Sequence, residues 1–298
     1  MERRGAPTTC SLLLVFFAFL GTVCGCGDGR VTGNEDSSLR GGTISDADRY
    51  FWPHQPGDIR RYTETRTLLS SGRSETTTAT EVQTYSQVQA VPAKYGYRGS
   101  LAGPFLYCET TQDGALYSAK YLADGTEVIN DDLDTFTNID FVTKSGDSFT
   151  PNPVVLGKTY CGMVEGVLFS SATGDSIGMA ARDFSVTCEN VVTITVPAGT
   201  FEALNCSLVT TYIETKNGHI TTLAATGAGW FAKDIGVIKY NATGMGSVDG
   251  ASFTAAMLRL LTTTERPAAK ESSTFEPGNM GVGKRPFLAG GLSVFLLR

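Results

Sequence analysis

The chain has 298 residues, with 24 lysines and arginines against 30 aspartates and glutamates, and a formal net charge of −6. Only 18% of the residues are charged while 41% are hydrophobic, which favours a buried core and excludes wholesale disorder. Because the charge is negative and no dense stripe of lysine or arginine is present, we do not expect nucleic acid as a partner.

The N-terminal segment has the order of residues of an export signal. Arg3 and Arg4 precede an apolar run over residues 12–20, and small residues follow it. This run is too short for a permanent membrane-spanning helix, which needs about 20 apolar residues. The pattern therefore predicts a signal helix over residues 1–25 that is removed on export.

The signal ends in Val23-Cys24-Gly25-Cys26, which resembles the lipobox of bacterial lipoproteins: an aliphatic residue, then a small one, before a cysteine. In that interpretation Cys26 carries acyl chains such as palmitate, and each buried CH2 contributes roughly 0.8 kcal/mol to membrane anchoring. The alternative is ordinary cleavage near Gly25, which leaves a freely soluble secreted protein. Residues 26–49 are rich in Gly, Ser and Asp and predict a flexible tether.

From residue 50 to about residue 264 the chain alternates apolar and polar residues with a period of two, as β-strands do. Asn217-Gly218 suits a type I′ turn, so residues 210–216 and 219–226 are predicted to form a hairpin. Pro197-Ala198-Gly199-Thr200 predicts another turn, after which residues 201–209 return as the partner of residues 192–196. Asp-Gly pairs mark further turns at residues 113, 124 and 249. The fold class is therefore predicted to be all-β and mostly antiparallel.

The first and second halves of this region share an internal sequence similarity. Residues 53, 57, 68, 70 and 71 recur in type 100 positions later, and Val91-Pro92-Ala93 recurs as Val196-Pro197-Ala198. We interpret this as two tandem β repeats, at residues 50–145 and 150–264. The two repeats form either separate lobes or one wrapped sheet. Residues 265–298 then read as a flexible C-terminal tail, whose apolar end at residues 287–297 has no assigned role.

Four cysteines remain in the body if Cys26 is acylated, and in an exported protein they predict disulfides. A hairpin centred on residues 173–176 would place Cys161 opposite Cys188, at the separation that a disulfide requires. Cys108–Cys206 follows by elimination. A zinc site is not expected, because no Cys-x-x-Cys is present and the chain has only two histidines, His54 and His219.

Two patterns raise the question of catalysis or ion binding. Gly174-Asp175-Ser176-Ile177-Gly178 matches G-x-S-x-G with His219 downstream, but strands are predicted on both sides where a nucleophile elbow needs a following helix. Asn130, Asp131, Asp132 and Asp134 collect oxygen ligands without the glycine and acid spacing of an EF-hand loop. A serine hydrolase is therefore the least favoured class, and we predict no catalytic residues, no metal and no cofactor.

Residues 196–204, Val-Pro-Ala-Gly-Thr-Phe-Glu-Ala-Leu, together with residues 229–240, Gly-Trp-Phe-Ala-Lys-Asp-Ile-Gly-Val-Ile-Lys-Tyr, resemble a recurrent signature of uncharacterised bacterial exported lipoproteins. Residues 53–62 are similar to the opening of such proteins, although the usual tryptophan is missing. The resemblance extends at fold level to the half-barrel lipoprotein carriers of the envelope, in which a curved antiparallel sheet holds an apolar ligand. Fold-level analogy does not establish function.

These observations lead to one hypothesis and two alternatives. We expect a lipid-anchored protein of the bacterial cell envelope, facing the periplasm or the surface, whose non-catalytic β body binds a lipid or other apolar ligand. The first alternative is a structural or assembly lipoprotein that binds an envelope protein. The second is the serine hydrolase.

Overall fold

The structure is a computed structural model that describes residues 42–51, 53–90, 104–123, 126–132, 139–146, 153–170, 173 and 175–266. The predicted all-β antiparallel fold is confirmed. One short helix, α1 (Asp48–Phe51), accompanies fourteen strands in this part of the chain. The strands are β1 (Thr43–Ile44), β2 (Ile59–Ser70), β3 (Arg73–Val88), β4 (Phe105–Gln112), β5 (Ala115–Ala123), β6 (Thr126–Asp132), β7 (Ile139–Gly146), β8 (Val154–Val155), β9 (Thr159–Ser170), β10 (Ser176–Val196), β11 (Gly199–Lys216), β12 (His219–Ala232), β13 (Gly236–Val248) and β14 (Ala251–Glu265).

Twelve of these strands form one continuous antiparallel sheet, from β2 to β14 without β8. Each strand pairs with its neighbours along the chain, and β7 pairs with β9. The pairing returns to its start, because the last strand, β14, also pairs with β2. Of the two arrangements that the sequence left open, the strands adopt the single wrapped sheet and not two lobes.

The turns predicted from Asn-Gly and Asp-Gly pairs connect neighbouring strands in the structure. Asn217 and Gly218 have φ angles of 50° and 85° and join β11 to β12, which confirms that hairpin. Asp113-Gly114 and Asp249-Gly250 have the same pair of positive φ angles and join β4 to β5 and β13 to β14. The pair at residues 124–125 lies outside the described residues.

One end of the wrapped sheet, which we call the capped end, is covered by the segment before β2. There β1 pairs with β8, and the Phe51 ring of α1 packs edge-on against Phe231 with 4.9 Å between ring centroids. The last residues of the predicted tether, 42–49, belong to this cap, and Ala47 is buried there. The signal, Cys26 and the tail from residue 267 onward lie outside the described residues.

The main apolar core lies on the inner side of β10–β14. It contains Phe184, Leu208, Leu223, Phe253 and Met257, which point inward from neighbouring strands. A second cluster at the capped end joins Tyr62 and Leu261 to Val196, Ala203, Ala232 and Ile238 of the two signature segments. Each fully buried large side chain stabilises the fold by about 1.5–3 kcal/mol, so the signature residues act as core.

The predicted disulfide pairing is wrong. Cys188 is bonded to Cys206, its direct cross-strand partner on β10 and β11, and Cys108 is a buried free thiol. The error lies in the register of β9 against β10, in which Cys161 stands opposite Ser185 and not opposite Cys188. A shift of three residues along an antiparallel ladder moves the two cysteines of the predicted pair apart by about 10 Å.

Candidate functional site: a charged cluster inside the sheet and a groove outside it

Charged side chains are buried where β14, β2 and β3 lie side by side. Arg259 on β14 donates from Nε to Glu64 Oε2 over 2.9 Å and from Nη2 to Glu81 Oε2 over 2.6 Å. Glu64 and Glu81 are each 1% exposed. Arg66 binds the second oxygen of Glu64, so two arginines neutralise two glutamates.

Burial and charge act in opposite directions within this cluster. Burial raises the pKa of Glu81, and the Arg259 guanidinium offsets only part of that rise. Burial alone would lower the pKa of Arg259, but the carboxylates of Glu81 and Glu64 outweigh it and raise that pKa. Arg259 therefore remains a cation, while burial makes the Glu81 carboxylate easier to protonate than that of an ordinary glutamate.

A chain of hydrogen bonds continues from the cluster toward the capped end. Gln83 donates to Glu81 over 2.8 Å, and the Tyr85 hydroxyl donates to Gln83 over 2.9 Å. Cys108 lies beyond Tyr85, and burial raises the pKa of its thiol to about 11. At neutral pH this sulfur is a thiol and not a thiolate, so it is a poor nucleophile.

A second ionic cluster fixes the capped end. Asp58 accepts from Arg266 over 2.9 Å and 3.0 Å and from Arg60 over 3.2 Å. Burial would raise the pKa of Asp58, but hydrogen bonds from Arg266 and from the Gln55 backbone, with the charges of both arginines, hold it below its ordinary value. These contacts tie residue 266, just after β14, to the segment that precedes β2.

His54 completes the capped end. Its ring stacks on Tyr85 with 4.4 Å between the centroids and an interplanar angle of 12°. Burial, helped by the positive charges of Arg60 and Arg266, lowers the pKa of His54 well below its ordinary value. The imidazole is therefore neutral at physiological pH.

Together these interior groups hold strands in place. The carboxylates of both clusters are bonded to arginines, and the thiol and the imidazole are each in the uncharged form. Such an arrangement can fix the pairing of the first and last long strands.

The outer surface of the same strands has the opposite character. A groove of about 440 Å³ runs across β12, β13, β14 and β2 and contains no charged side chain. Its outward-facing lining comes from Thr65, Thr67, Thr226, Asn241, Thr243, Ala256 and Leu258. Ligand pockets commonly enclose 300–1,000 Å³, so the groove is large enough for part of a small apolar molecule.

The serine and histidine singled out in the sequence lie near the hairpin tips, at the end opposite the cap. Ser176 is the first residue of β10, so a strand and not a helix follows it, and the nucleophile elbow is not formed. His219 is exposed at the start of β12, and its Nδ1 lies 2.6 Å from Asp249 Oδ2. This contact joins the β11–β12 hairpin to the β13–β14 turn.

The acidic stretch belongs in part to the sheet. Asn130, Asp131 and Asp132 form the end of β6, and Asp131 stands opposite Asp140 of β7. Asp134 and Asn138 lie outside the described residues. Within the part that the structure describes, no group of three or more His, Cys, Asp or Glu side chains is placed to hold a metal ion.

Neither ionic cluster was predicted from the sequence. The residues of the first cluster are nevertheless visible in β2 and β14, where Glu64 and Arg66 alternate with threonines and Arg259 interrupts an apolar run. Period-two patterns are usually assigned with the polar residues facing solvent. Here the charged residues face inward and the threonines outward.

No protein-family model matches the chain, and no curated protein matches it. A protein from Bacteroides fragilis, described as exported and as having a YmcC-like fold, is similar over 73% of this chain and 99% of its own, with 14% identity and a TM-score of 0.40. A protein from Parabacteroides distasonis, described as a lipoprotein, is similar over 72% and 98%, with 13% identity and a TM-score of 0.38.

No helix among the described residues has both the length and the apolar character needed to cross a membrane.

Proposed function

We propose that this chain is a lipoprotein of the bacterial cell envelope, anchored through acyl chains on Cys26, whose β body binds a lipid or other apolar ligand without catalysis. The observation that carries the anchor is the segment Val23-Cys24-Gly25-Cys26 after an export signal. Acyl chains on one cysteine supply enough buried CH2 groups for stable attachment to a bilayer.

The uncharged groove supports the second half of the proposal. Its threonine and asparagine side chains offer hydrogen bonds, while Ala256 and Leu258 offer apolar contact. That combination suits a molecule with a hydrocarbon part and a polar part. Catalysis is not part of the proposal, because the buried thiol, imidazole and carboxylates described above serve structure.

Labelling tests the anchor. Cells that express the parent chain are grown with radioactive palmitate, and the protein is compared with the variants Cys26→Ser and Cys24→Ser. The proposal requires label in the parent and in Cys24→Ser, and none in Cys26→Ser. Equal labelling of the parent and both variants, or no label in any of them, overturns the anchor.

Native mass spectrometry after mild purification tests ligand binding. The expected result is a bound lipid that Ala256→Trp removes by filling the centre of the groove, while Ser252→Trp, on the same strand outside the groove, retains it. If the protein carries no lipid but binds one envelope protein as a stable partner, the result favours the assembly alternative and contradicts ligand binding.

A further inference from the structure

The outward surface of β11–β14, β2 and β3 carries no charged residue between the hairpin tips and the middle of the strands. We call this surface the uncharged face. Its residues are Val209, Thr211, Ile213, Thr215, Ile220, Thr222, Ala224, Thr226, Ala228, Asn241, Thr243, Met245, Ser247, Ser252, Thr254, Ala256, Leu258, Thr65, Thr67, Leu69, Ser74, Thr76 and Thr78.

These residues form one continuous surface. The register places Ala228, Asn241, Leu258, Thr65 and Thr78 in a single row across five strands. The row one pair nearer the tips joins Val209 to Thr76 in the same manner through β12, β13, β14 and β2. The groove lies within these two rows.

Large apolar side chains project from the part of the face nearest the tips. Met245 is 67% exposed, Ile213 51% and Ile220 50%, and Leu69 is also exposed. Exposed apolar residues scattered singly need no explanation, but a group of them on a surface without charges marks an interaction site.

Charges border the face and do not enter it. Beyond the row of Asn241 comes Lys239, whose ammonium lies 4.6 Å from the ring centroid of Trp230. At the tips stand Lys216 and the contact between His219 and Asp249. Lysine and tryptophan at the margin of an apolar surface suit the headgroup region of a bilayer, because each has an apolar body and a polar end.

The main chain also suits contact with lipid. Strands β11 to β14 and β2 each have a hydrogen-bonded neighbour on both sides, since β11 also pairs with β10 and β14 pairs with β2. At the border of the face, β3 pairs with β2 along most of its length but with β4 only over residues 81–88. Contact of the five inner strands with hydrocarbon therefore leaves no row of their backbone N–H or C=O groups unpaired, as an open sheet edge would.

We infer that the uncharged face is a docking surface for a lipid bilayer, so that the anchored body lies with this side on the membrane. This inference rests on the proposed acylation of Cys26. The 16 residue-to-residue steps from Cys26 to Gly42 span up to about 54 Å when extended, close to the roughly 59 Å length of β11. The tether is thus long enough for the body to reach this orientation.

The test uses the full lipid-anchored chain in phosphatidylcholine vesicles whose acyl chains carry bromine, which quenches nearby fluorophores. One sample bears a fluorophore on Met245→Cys within the face. The control bears it on Val191→Cys, an exposed site on β10 outside the face. The signal of the identically treated parent is subtracted from both.

The inference requires most of the fluorescence at position 245 to be lost on reconstitution and the fluorescence at 191 to be retained. It also requires the quenching at 245 to disappear when Ile213→Glu and Ile220→Glu are added, while the chain still floats with the vesicles and keeps its circular dichroism. Salt should leave the quenching unchanged, because the face is uncharged.

Three results overturn the inference. Equal fluorescence at both positions in a chain that floats means that the anchor holds but the face does not dock. If the chain does not float with the vesicles, the result contradicts the proposed lipid anchor and therefore also the proposed orientation. A dimer of this chain in which position 245 is covered but not quenched assigns the face to a second copy.

Discussion

Arg259 and Glu81 lie 2.6 Å apart inside the sheet, although 178 residues separate them in the chain. The contact joins the last strand to the second long strand across β2. Because it is buried, it stabilises the closed pairing of the sheet only while both partners are present.

Arg259→Leu is expected to lower the free energy of unfolding by about 3–5 kcal/mol, because it leaves the carboxylates of Glu64 and Glu81 buried with Arg66 as their one remaining arginine. Urea unfolding followed by circular dichroism measures the change. The control is Arg61→Leu, which removes a surface ion pair with Glu265 and should change stability by at most about 1 kcal/mol. Similar effects of the two substitutions would contradict the role of the cluster.

Asp58 makes stability depend on pH in the acid range. Its pKa lies below the ordinary value of 3.8 in the folded chain, so the unfolded chain binds the proton more tightly. The resulting stabilisation is present above pH 3.8 and is lost as the pH falls through the folded pKa. The melting temperature of the parent should therefore fall more steeply on acidification than that of Asp58→Asn. Parallel curves would show that Asp58 carries no such linkage.

Glu81 has the opposite effect on the pH dependence of stability. Burial raises its pKa above 4.5, so the folded chain holds a proton that the unfolded chain releases. Stability from this group is present below pH 4.5 and declines as the pH rises through the folded pKa. Melting temperatures of the parent and Glu81→Gln, recorded from acid to neutral pH, should diverge in favour of the variant as the pH increases. A gap that stays constant or closes would be inconsistent with the raised pKa.

The disulfide between Cys188 and Cys206 should appear as one linked peptide when the protein is digested without reduction. The double variant Cys188→Ser, Cys206→Ser should lose roughly 3 kcal/mol of stability, given the 18-residue separation. Cys108 should react with an alkylating agent only after unfolding, because it is buried and has a pKa of about 11. A peptide that links Cys108 to another cysteine would refute this assignment.

The sequence predicted those features that depend on local chemistry. Asn217-Gly218 identified its hairpin because the turn requires two positive φ angles that these residues tolerate. Alternation identified strands but not their inward face, since Glu64 and Arg66 lie on the interior side and Thr65 and Thr67 outside. The register that separates Cys161 from Cys188 depends on where β9 and β10 begin pairing, which turn residues alone do not determine.

The ionic clusters could not be predicted from the local sequence, because their members come together only through long-range strand pairing. Arg259 meets Glu64 and Glu81, and Arg266 meets Asp58, only because the sheet wraps until β14 reaches β2. Each partner by itself looks like an ordinary surface residue of a strand or loop. Long-range pairing brings them together, and burial then makes them partners.

Closure of the sheet between its first and last long strands is the central claim, and a designed crosslink tests it most directly. Thr67 on β2 stands opposite Ala256 on β14, and both side chains face outward. Thr67→Cys with Ala256→Cys should form a disulfide under mild oxidation, seen as a mobility change that reduction reverses. The control, Thr67→Cys with Ala255→Cys, places the second thiol on the inner face and should not crosslink. No crosslink in the first pair, or equal crosslinking in both, would contradict the wrapped sheet.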